Sequence, residues 1–195
     1  MPPAKGVKKA TTKPRHWPEG LPYRDSYCYH SSVAPSLRQF IQGNTSSGKG
    51  HNQGIGRTQV IVRLISDPSH PACGQYGLFA ARKILPKTHI IDYIGEVHCD
   101  DRAESNYDLS LHRFQDGVCI GIDATSMGNE ARFINDYRGI KDKPNVVFID
   151  ARVPSGELRM GIWSTSDGIR KGEEILVSYG KAWWRARSEE QSPLR

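Results

Sequence analysis

The sequence lacks the patterns by which small domains hold zinc or build a disulfide framework. Its four cysteines, Cys28, Cys73, Cys99 and Cys119, lie at least 20 positions apart, and none belongs to a C-x-x-C pair or accompanies a matching pair of histidines. Zinc knuckles and disulfide-rich domains need such close spacing. We therefore expect no metal site and no dense set of disulfides.

Long apolar runs are also missing. No stretch approaches the roughly 18 apolar residues that a membrane helix needs. The basic amino terminus, MPPAKGVKKATTKPRH, lacks the apolar core of a secretory signal. These two absences predict an intracellular protein that makes no membrane contact.

The 195 residues do contain many turn formers and an excess of positive charge. There are 19 glycines and 12 prolines, with 37% hydrophobic and 25% charged residues. This composition is typical of a globular protein rich in turns, and the length favours one domain with flanking segments. The formal net charge of +6 favours an acidic or nucleic-acid-associated partner without requiring one.

Both ends of the chain differ in composition from its middle. Residues 1–18 carry five basic residues and no acidic one. They are predicted to form a disordered basic tail that either makes weak nucleic-acid contacts, directs nuclear import, or is simply solvated. Residues 19–58 form an amino-terminal flank with a short helix, PSLRQFIQ, and a Gly/Ser-rich linker. Residues 185–195 form a carboxy-terminal tail.

From residue 59 onward the chain consists of short apolar runs separated by turn residues. Each run has the length of a strand and is bounded by Gly, Pro, Asp or Ser. The eight runs are QVIVRLI, GLFAARKI, HIIDYI, YDLSL, VCIGI, VVFI, LRMGI and EILV. No apolar stripe of helical period extends over 10–12 residues. Residues 59–184 therefore predict a mostly β domain of several small sheets, without alternating βαβ units.

One stretch of the linker, GNTSSGKG, partly matches the phosphate-binding loop of nucleotide triphosphatases. Gly43, Gly48 and Lys49 fit that pattern. Gly50, however, stands where a hydroxyl would hold magnesium, and the flanking residues indicate neither the strand nor the helix that such a loop needs. We therefore do not expect a nucleotide triphosphate there.

Two segments present polar or small residues beside apolar ones. In ARFINDYRG, Asn135 follows Phe133 and Ile134 between two strand-like runs, where a loop side chain is often presented to a ligand. A turn asparagine that bonds its own backbone is the alternative. In CGQYGLF, Tyr76 and Gly77 precede an apolar strand, where glycine lets the backbone approach a ligand and the ring can cover it. A tight turn would have the same pattern.

The chain resembles the SET domain of protein lysine methyltransferases in the order and spacing of six segments: YGLFAARKI, IDYIGEV, YDLSL, IDATSMGNEARFIN, PNVVF and DGIRKGEEILVSYG. The resemblance covers about residues 59–184, and GNEARFIN and GEEILVSYG are its most specific blocks. It implies the SET-domain (β-clip) fold, with a carboxy-terminal pseudoknot that departs from the usual rule of chain connection. It also implies methyl transfer from S-adenosylmethionine to a lysine side chain. Family precedent and the basic tail favour a histone tail as substrate, and we expect the protein in the nucleus or otherwise in the cytoplasm.

The resemblance assigns roles by position. Tyr179 would orient the reacting amine, and Tyr107 would line the lysine channel. Val177, where the family commonly has Phe or Tyr, would leave room for two or three methyl groups. The residues expected to bind the cofactor are Tyr76, Gly77, Arg132, Asn135, Asp136 and Trp183.

Departures from the family pattern leave other functions open. Gln75 stands at the first position of the usual Gly-x-Gly, and Asp136 and Tyr137 replace the usual His and Ser or Cys. Flanking cysteine-rich zinc segments are absent, so Trp183 and Trp184 are candidates to close the cofactor pocket. A non-catalytic SET-like binding or scaffold protein is the main alternative. A nucleic-acid-binding module is a third, which rests on the basic tail alone.

Overall fold

A computed structural model of the chain describes residues 13–14, 16–43, 59–181 and 183–185. Most of the predicted linker and of the two predicted tails lies outside these residues. None of the helices in the described part of the chain has the length and apolar character needed to cross a membrane.

Residues 181 and 183–185 have helical backbone, and the other regular elements of the described chain are short strands, an α-helix and a 3₁₀ helix. In chain order they are β1 Cys28–Tyr29, α1 Pro35–Gln42, β2 Val60–Leu64, β3 Tyr76–Ala80, β4 His89–Asp92, β5 Glu96–His98, β6 Asp108–Arg113, β7 Cys119–Asp123, the 3₁₀ helix Glu130–Phe133, β8 Asn135–Asp136, β9 Val146–Arg152, β10 Leu158–Ser164 and β11 Leu176–Val177. Each of the eight apolar runs overlaps a strand, and PSLRQFIQ is α1. The mostly β prediction is confirmed.

The strands pair into several small sheets around a shared core. One sheet has the order β1-β5-β7-β6 and another the order β4-β10-β9, while β2 pairs with β3 and β11 pairs with β8. Strands of this length cannot bury enough apolar surface within one sheet, so the faces of different sheets pack against each other. The largest fully buried side chains are mostly isoleucine and leucine: Ile41, Leu78, Ile84, Ile90, Ile94, Ile120, Ile122, Ile162, Ile175 and Leu176.

The described part of the amino-terminal flank, residues 19–43, belongs to the packed domain. β1 pairs with β5 in parallel, and Ile41 of α1 is fully buried. Trp17 is also buried; its indole N–H donates to the Leu21 carbonyl at 2.7 Å, and its ring packs edge-on against Phe133. The predicted disordered tail therefore cannot extend to residue 18. The composition of residues 1–18 is polar on average, but this average conceals the buried aromatic residue Trp17.

β11 is enclosed between two other segments. Leu176 pairs in parallel register with Asn135 of β8. On the other side, the Asn145 amide accepts from the Leu176 N–H at 2.8 Å and donates to the Glu174 carbonyl at 2.7 Å. These contacts bring the distant GNEARFIN and GEEILVSYG blocks together, as the pseudoknot prediction requires.

Candidate active site

Two adjoining cavities lie where the 3₁₀ helix and β8 meet the end of β11 and the loop before β6. The large cavity has a volume of about 640 Å³ and the narrow cavity one of about 80 Å³. The wall residues common to both are Asn106, Tyr107, Arg132, Tyr179 and Trp183. The large cavity falls within the range of small-molecule and cofactor sites. A cofactor-sized space thus borders a narrow one across a largely aromatic wall.

Tyr179 lies in this shared wall, and its hydroxyl hydrogen is already used in a hydrogen bond within the protein. Its hydroxyl donates to the Ile134 carbonyl at 2.7 Å, and its backbone N–H donates to Asp136 Oδ2 at 2.7 Å. Burial raises the pKa of Tyr179 well above its ordinary value, and the negative charge of Asp136 adds to that rise. The phenol therefore stays protonated at neutral pH and offers only oxygen lone pairs to a neighbouring group.

Asn135 lies in β8, half-buried, on the wall of the large cavity. Its Nδ2 donates to Glu174 Oε1 at 2.9 Å and to the Tyr76 carbonyl at 3.4 Å, partners that are 39 and 59 positions away. The turn-asparagine alternative is therefore wrong. Because both amide hydrogens are used within the protein, the carbonyl oxygen Oδ1 is the part of the amide left for a ligand.

Glu174 is a site residue that the sequence interpretation missed. Its carboxylate is 8% exposed, accepts from Asn135, and lies 2.9 Å from His70 Nε2. It thereby connects the Asn135 amide to the loop of residues 66–75, which supplies part of the large cavity's wall. The available signal was the second acid of KGEEILV, placed directly before a buried apolar strand.

Tyr76 and Gly77 begin β3 beside the large cavity. Tyr76 lines the cavity, and its ring centroid lies 5.5 Å from that of Phe133. Gly77 is not among the wall residues; a Cβ there would come within 2.8 Å of Glu174 Oε1 and 2.9 Å of the Phe79 ring. Packing behind the cavity thus accounts for this glycine, and a contact between its backbone and the cofactor stays a prediction.

Arg132 lines both cavities and supports Tyr107. Its guanidinium lies 4.2 Å from the centroid of the Tyr107 ring. Its Nε donates to the Ala124 carbonyl at 2.9 Å and its Nη2 to the Thr125 carbonyl at 3.4 Å. These bonds fix the cation against the aromatic face. The predicted contact between Arg132 and the cofactor stays a prediction.

Asp136 and Trp183 also line the large cavity. Trp183 reaches the narrow cavity as well, with its ring centroid 4.8 Å from that of Tyr179. Val177 is 2% exposed in the core and lines neither of these two cavities. Phe148 contributes to the wall of the narrow cavity instead. The room expected beside Val177 is therefore set by other side chains.

Comparison with known protein sequences agrees with this geometry. The family model described as SET domain matches residues 75–180, more than half of the chain. Histone-lysine N-methyltransferase ASHH3 of Arabidopsis thaliana is 34% identical over 114 residues, which are 55% of this chain and 30% of that protein. The histone-lysine N-methyltransferase, H3 lysine-36 specific, of Gibberella zeae is 31% identical over 168 residues, which are 80% of this chain and 16% of that protein. The chain thus spans less than a third of the length of either relative.

Solved structures show the same architecture. ATXR5 in complex with mono-methylated histone H3.1 superposes with a TM-score of 0.55 at 20% identity, covering 83% of this chain and 82% of that one, which is a likeness of fold. Chaetomium thermophilum Polycomb Repressive Complex 2 bound to GSK126 superposes with a TM-score of 0.50 at 27% identity, covering 69% of this chain and 17% of that one. The SET-domain fold is confirmed. The chain belongs to the SET domain family.

Proposed function

We propose that this chain is a protein-lysine N-methyltransferase that uses S-adenosylmethionine and acts on a histone tail. The observation that carries the proposal is the aromatic wall shared by the two cavities, which includes Tyr107 and Tyr179. The large cavity has the size for the cofactor, and the narrow one suits a lysine side chain. The names of the curated relatives, which are histone-lysine N-methyltransferases, support the same activity and substrate.

The side chains around the large cavity match the chemical groups of S-adenosylmethionine. Asn135 Oδ1 is an acceptor that suits an ammonium group. Arg138 lines the cavity, and within the described residues its buried Nη1 makes no hydrogen bond and lies 3.7 Å from Asp136 Oδ2, so its N–H groups suit a carboxylate or a hydroxyl. Tyr76 and Phe133 offer apolar and aromatic surface that suits an adenine ring. When bound, the cofactor supplies an electrophilic methyl group on a sulfonium.

The narrow cavity prepares the amine. Its wall includes Tyr93, whose hydroxyl donates to the Tyr107 carbonyl at 2.8 Å, together with Phe148. The aromatic and apolar part of this wall disfavours the ammonium form of a lysine, whose reference pKa is about 10.4, and opposes the effect of the Asp108 carboxylate, which belongs to the same wall and lies 2.8 Å from His98 Nε2. Tyr179 cannot take that proton because burial raises its pKa and its hydroxyl already donates to Ile134. We assign the proton to water and give Tyr179 the task of orienting the amine by accepting from it.

A labelled-methyl assay tests this function. The folded protein is incubated with S-adenosylmethionine labelled in the methyl group, and with recombinant histones or total lysate proteins. We expect label on a lysine, located by mass spectrometry. Tyr179→Phe should lose the label, whereas the control Tyr137→Phe should retain it because Tyr137 lines neither cavity. Cofactor binding without transfer to any protein would instead support the scaffold alternative.

A further inference from the structure

Asp136 places a carboxylate where the family pattern has histidine, and the structure shows what that carboxylate holds. The residue is 7% exposed. A buried carboxylate is tolerated only where donors surround it. Asp136 Oδ2 accepts from the backbone N–H of Tyr179 at 2.7 Å and from the indole N–H of Trp184 at 3.3 Å. Its Oδ1 accepts from the backbone N–H of Arg138 at 2.9 Å.

The Arg138 side chain strengthens the same attachment. Its Nη1 lies 3.7 Å from Asp136 Oδ2, and its guanidinium lies 5.1 Å from the centroid of the Trp184 ring. Trp184 is therefore held by the carboxylate at its N–H and by the cation at its ring face. A second contact runs through Trp183, whose ring centroid lies 5.1 Å from that of Trp184 and 4.8 Å from that of Tyr179.

We propose that Asp136 is a positioning residue, and that its carboxylate fastens both the Tyr179 backbone and the segment of residues 183–185 to β8. Both tryptophans line the large cavity, so this attachment keeps aromatic surface over the site. What the closure does for catalysis rests on the proposed function. The attachment itself depends only on residues of this chain.

Asp136→Asn removes the charge and keeps the shape of the side chain. The amide oxygen can still accept hydrogen bonds at one of the two oxygen positions, but the amide nitrogen places donors at the other, facing either the N–H groups of Tyr179 and Trp184 or that of Arg138. Hydrogen bonds to a carboxylate are also roughly twice as strong as neutral ones. Trp184→Phe removes the indole donor together with the five-membered ring that carries it, and keeps a smaller aromatic ring. Asp92→Asn is the matched control, because Asp92 is a half-buried carboxylate paired with His89 and lines neither cavity.

The first measurement needs no cofactor. Amide hydrogen exchange at Tyr179 should be about tenfold faster in Asp136→Asn than in the parent, because the N–H loses its charged acceptor. Trypsin cleavage after Lys181 and Arg185 should also be severalfold faster in Asp136→Asn and in Trp184→Phe, and unchanged in Asp92→Asn. Parent-like exchange and cleavage in a folded Asp136→Asn protein would overturn the proposal. If that variant does not fold, parent-like cleavage of Trp184→Phe would overturn it.

The second measurement separates the positioning role from the proposed function. We expect Asp136→Asn to lower kcat and cofactor affinity about tenfold each, and Trp184→Phe to lower mainly affinity. In the double variant, Trp184→Phe should lower cofactor affinity little further, because Asp136→Asn alone has already broken the attachment of Trp184. Additive losses would overturn the coupling. A parent protein that binds no cofactor would defeat the proposed function, while the exchange and cleavage results would still decide the attachment.

Discussion

The two tyrosines of the site are held by different kinds of interaction. Tyr179 is fixed by short hydrogen bonds to the Ile134 carbonyl and the Asp136 carboxylate. Ile134 directly follows Phe133, whose ring packs against that of Trp17. Tyr107 instead follows a loop that is tied down by charge. The same site thus has a packed wall, in which buried hydrogen bonds and ring contacts hold Tyr179, and a charged wall, in which ion pairs hold the loop before Tyr107.

The charged wall is organised by Arg102, whose side chain is 16% exposed. Its carboxylate partners are Glu96 at 2.8 Å, Asp123 at 3.1 Å and Asp100 at 3.3 Å. Asp123 Oδ1 accepts from the Ser105 hydroxyl at 2.9 Å, and that hydroxyl oxygen accepts from the Tyr107 N–H at 3.1 Å. The cluster therefore reaches Tyr107 through the Ser105 hydroxyl. The comparison teaches that the lysine side should respond to salt more than the cofactor side, because the cofactor-side carboxylates of Asp136 and Glu174 are buried and buried charges are screened less.

The largest effect should come from breaking the packed wall. Trp17→Ala removes a buried indole that contacts Phe133, and it should lower the free energy of unfolding by about 3–5 kcal/mol. Urea unfolding followed by circular dichroism measures this. Arg102→Gln is the comparison variant from the charged wall and should cost less. A Trp17→Ala loss below about 1 kcal/mol would mean that the segment before residue 19 adds nothing to the core.

Tyr179→Phe should have the next largest effect. Loss of the hydroxyl removes the acceptor that orients the amine, so turnover should fall about 100-fold, equivalent to about 2.7 kcal/mol. Cofactor affinity should stay within about twofold of the parent. Tyr107→Phe keeps the aromatic wall and should cost less than about tenfold. Steady-state kinetics with a methyl-acceptor peptide distinguish the two, and equal losses would remove the proposed difference between the tyrosines.

Arg102→Gln should weaken the binding of the peptide and leave the binding of the cofactor unchanged. Without the guanidinium the loop before β6 loses three ion pairs, so Tyr107 is held less firmly. We expect the KM for the peptide to rise severalfold with cofactor affinity unchanged. Raising the salt concentration should also raise the KM of the parent for the peptide, and should raise that of the variant less. An equal rise in the KM for the peptide and in the Kd for the cofactor would show that the loop also shapes the large cavity.

Strong acid should loosen the charged wall. For Asp100 and Asp123, burial alone would raise the pKa, but hydrogen bonds from Ser32 to the first, from Thr125 to the second, and from Arg102 to both, hold it below its ordinary value. A depressed pKa means that the stabilisation is complete above the unfolded value of about 3.9 and is lost as the pH falls toward the lower, folded-state value.

The melting temperature of the parent should therefore fall below about pH 4, and Arg102→Gln should show a shallower fall. Differential scanning fluorimetry across the acid range measures both. Parallel curves would mean that Arg102 does not set these two pKa values.

The smallest effect concerns how many methyl groups are added. Phe148 lines the narrow cavity and Val177 does not. Phe148→Tyr adds a hydroxyl that can hold water beside the amine, so the product should shift toward monomethyl-lysine. Val177→Tyr should disturb the core instead, lowering stability without a selective change of product. Mass spectrometry of a substrate peptide at long reaction times checks both variants. A selective shift with Val177→Tyr alone would restore the role expected from the sequence.

The sequence predicted those parts of the fold that local pattern determines. Each apolar run from QVIVRLI to EILV overlaps a strand, because β-branched residues between turn formers favour extended backbone whatever lies beside them. The two SET blocks located Asn135 and Tyr179, which the structure brings to one large cavity. Trp17 was missed because composition averaged over a polar segment conceals a single buried ring.

The remaining parts depend on tertiary contacts. β8 and β11 are two residues long, too short for an alternating pattern, and they exist because the pseudoknot lays one beside the other. Glu174 contacts Asn135 and His70, which lie 39 and 104 positions before it in the chain, and no local pattern reveals such contacts. The role of Asp136 was also hidden, since a departure from a family motif shows only that the usual side chain is absent.

Calorimetric titration with S-adenosylmethionine tests the central claim most directly. The parent should bind with a micromolar Kd, about −8 kcal/mol. Asn135→Ala should bind at least about tenfold more weakly, because the variant removes the one acceptor that the amide leaves free for a ligand. Tyr179→Phe, whose missing hydroxyl serves the amine, should bind like the parent. A folded parent that shows no binding at millimolar cofactor would contradict the account.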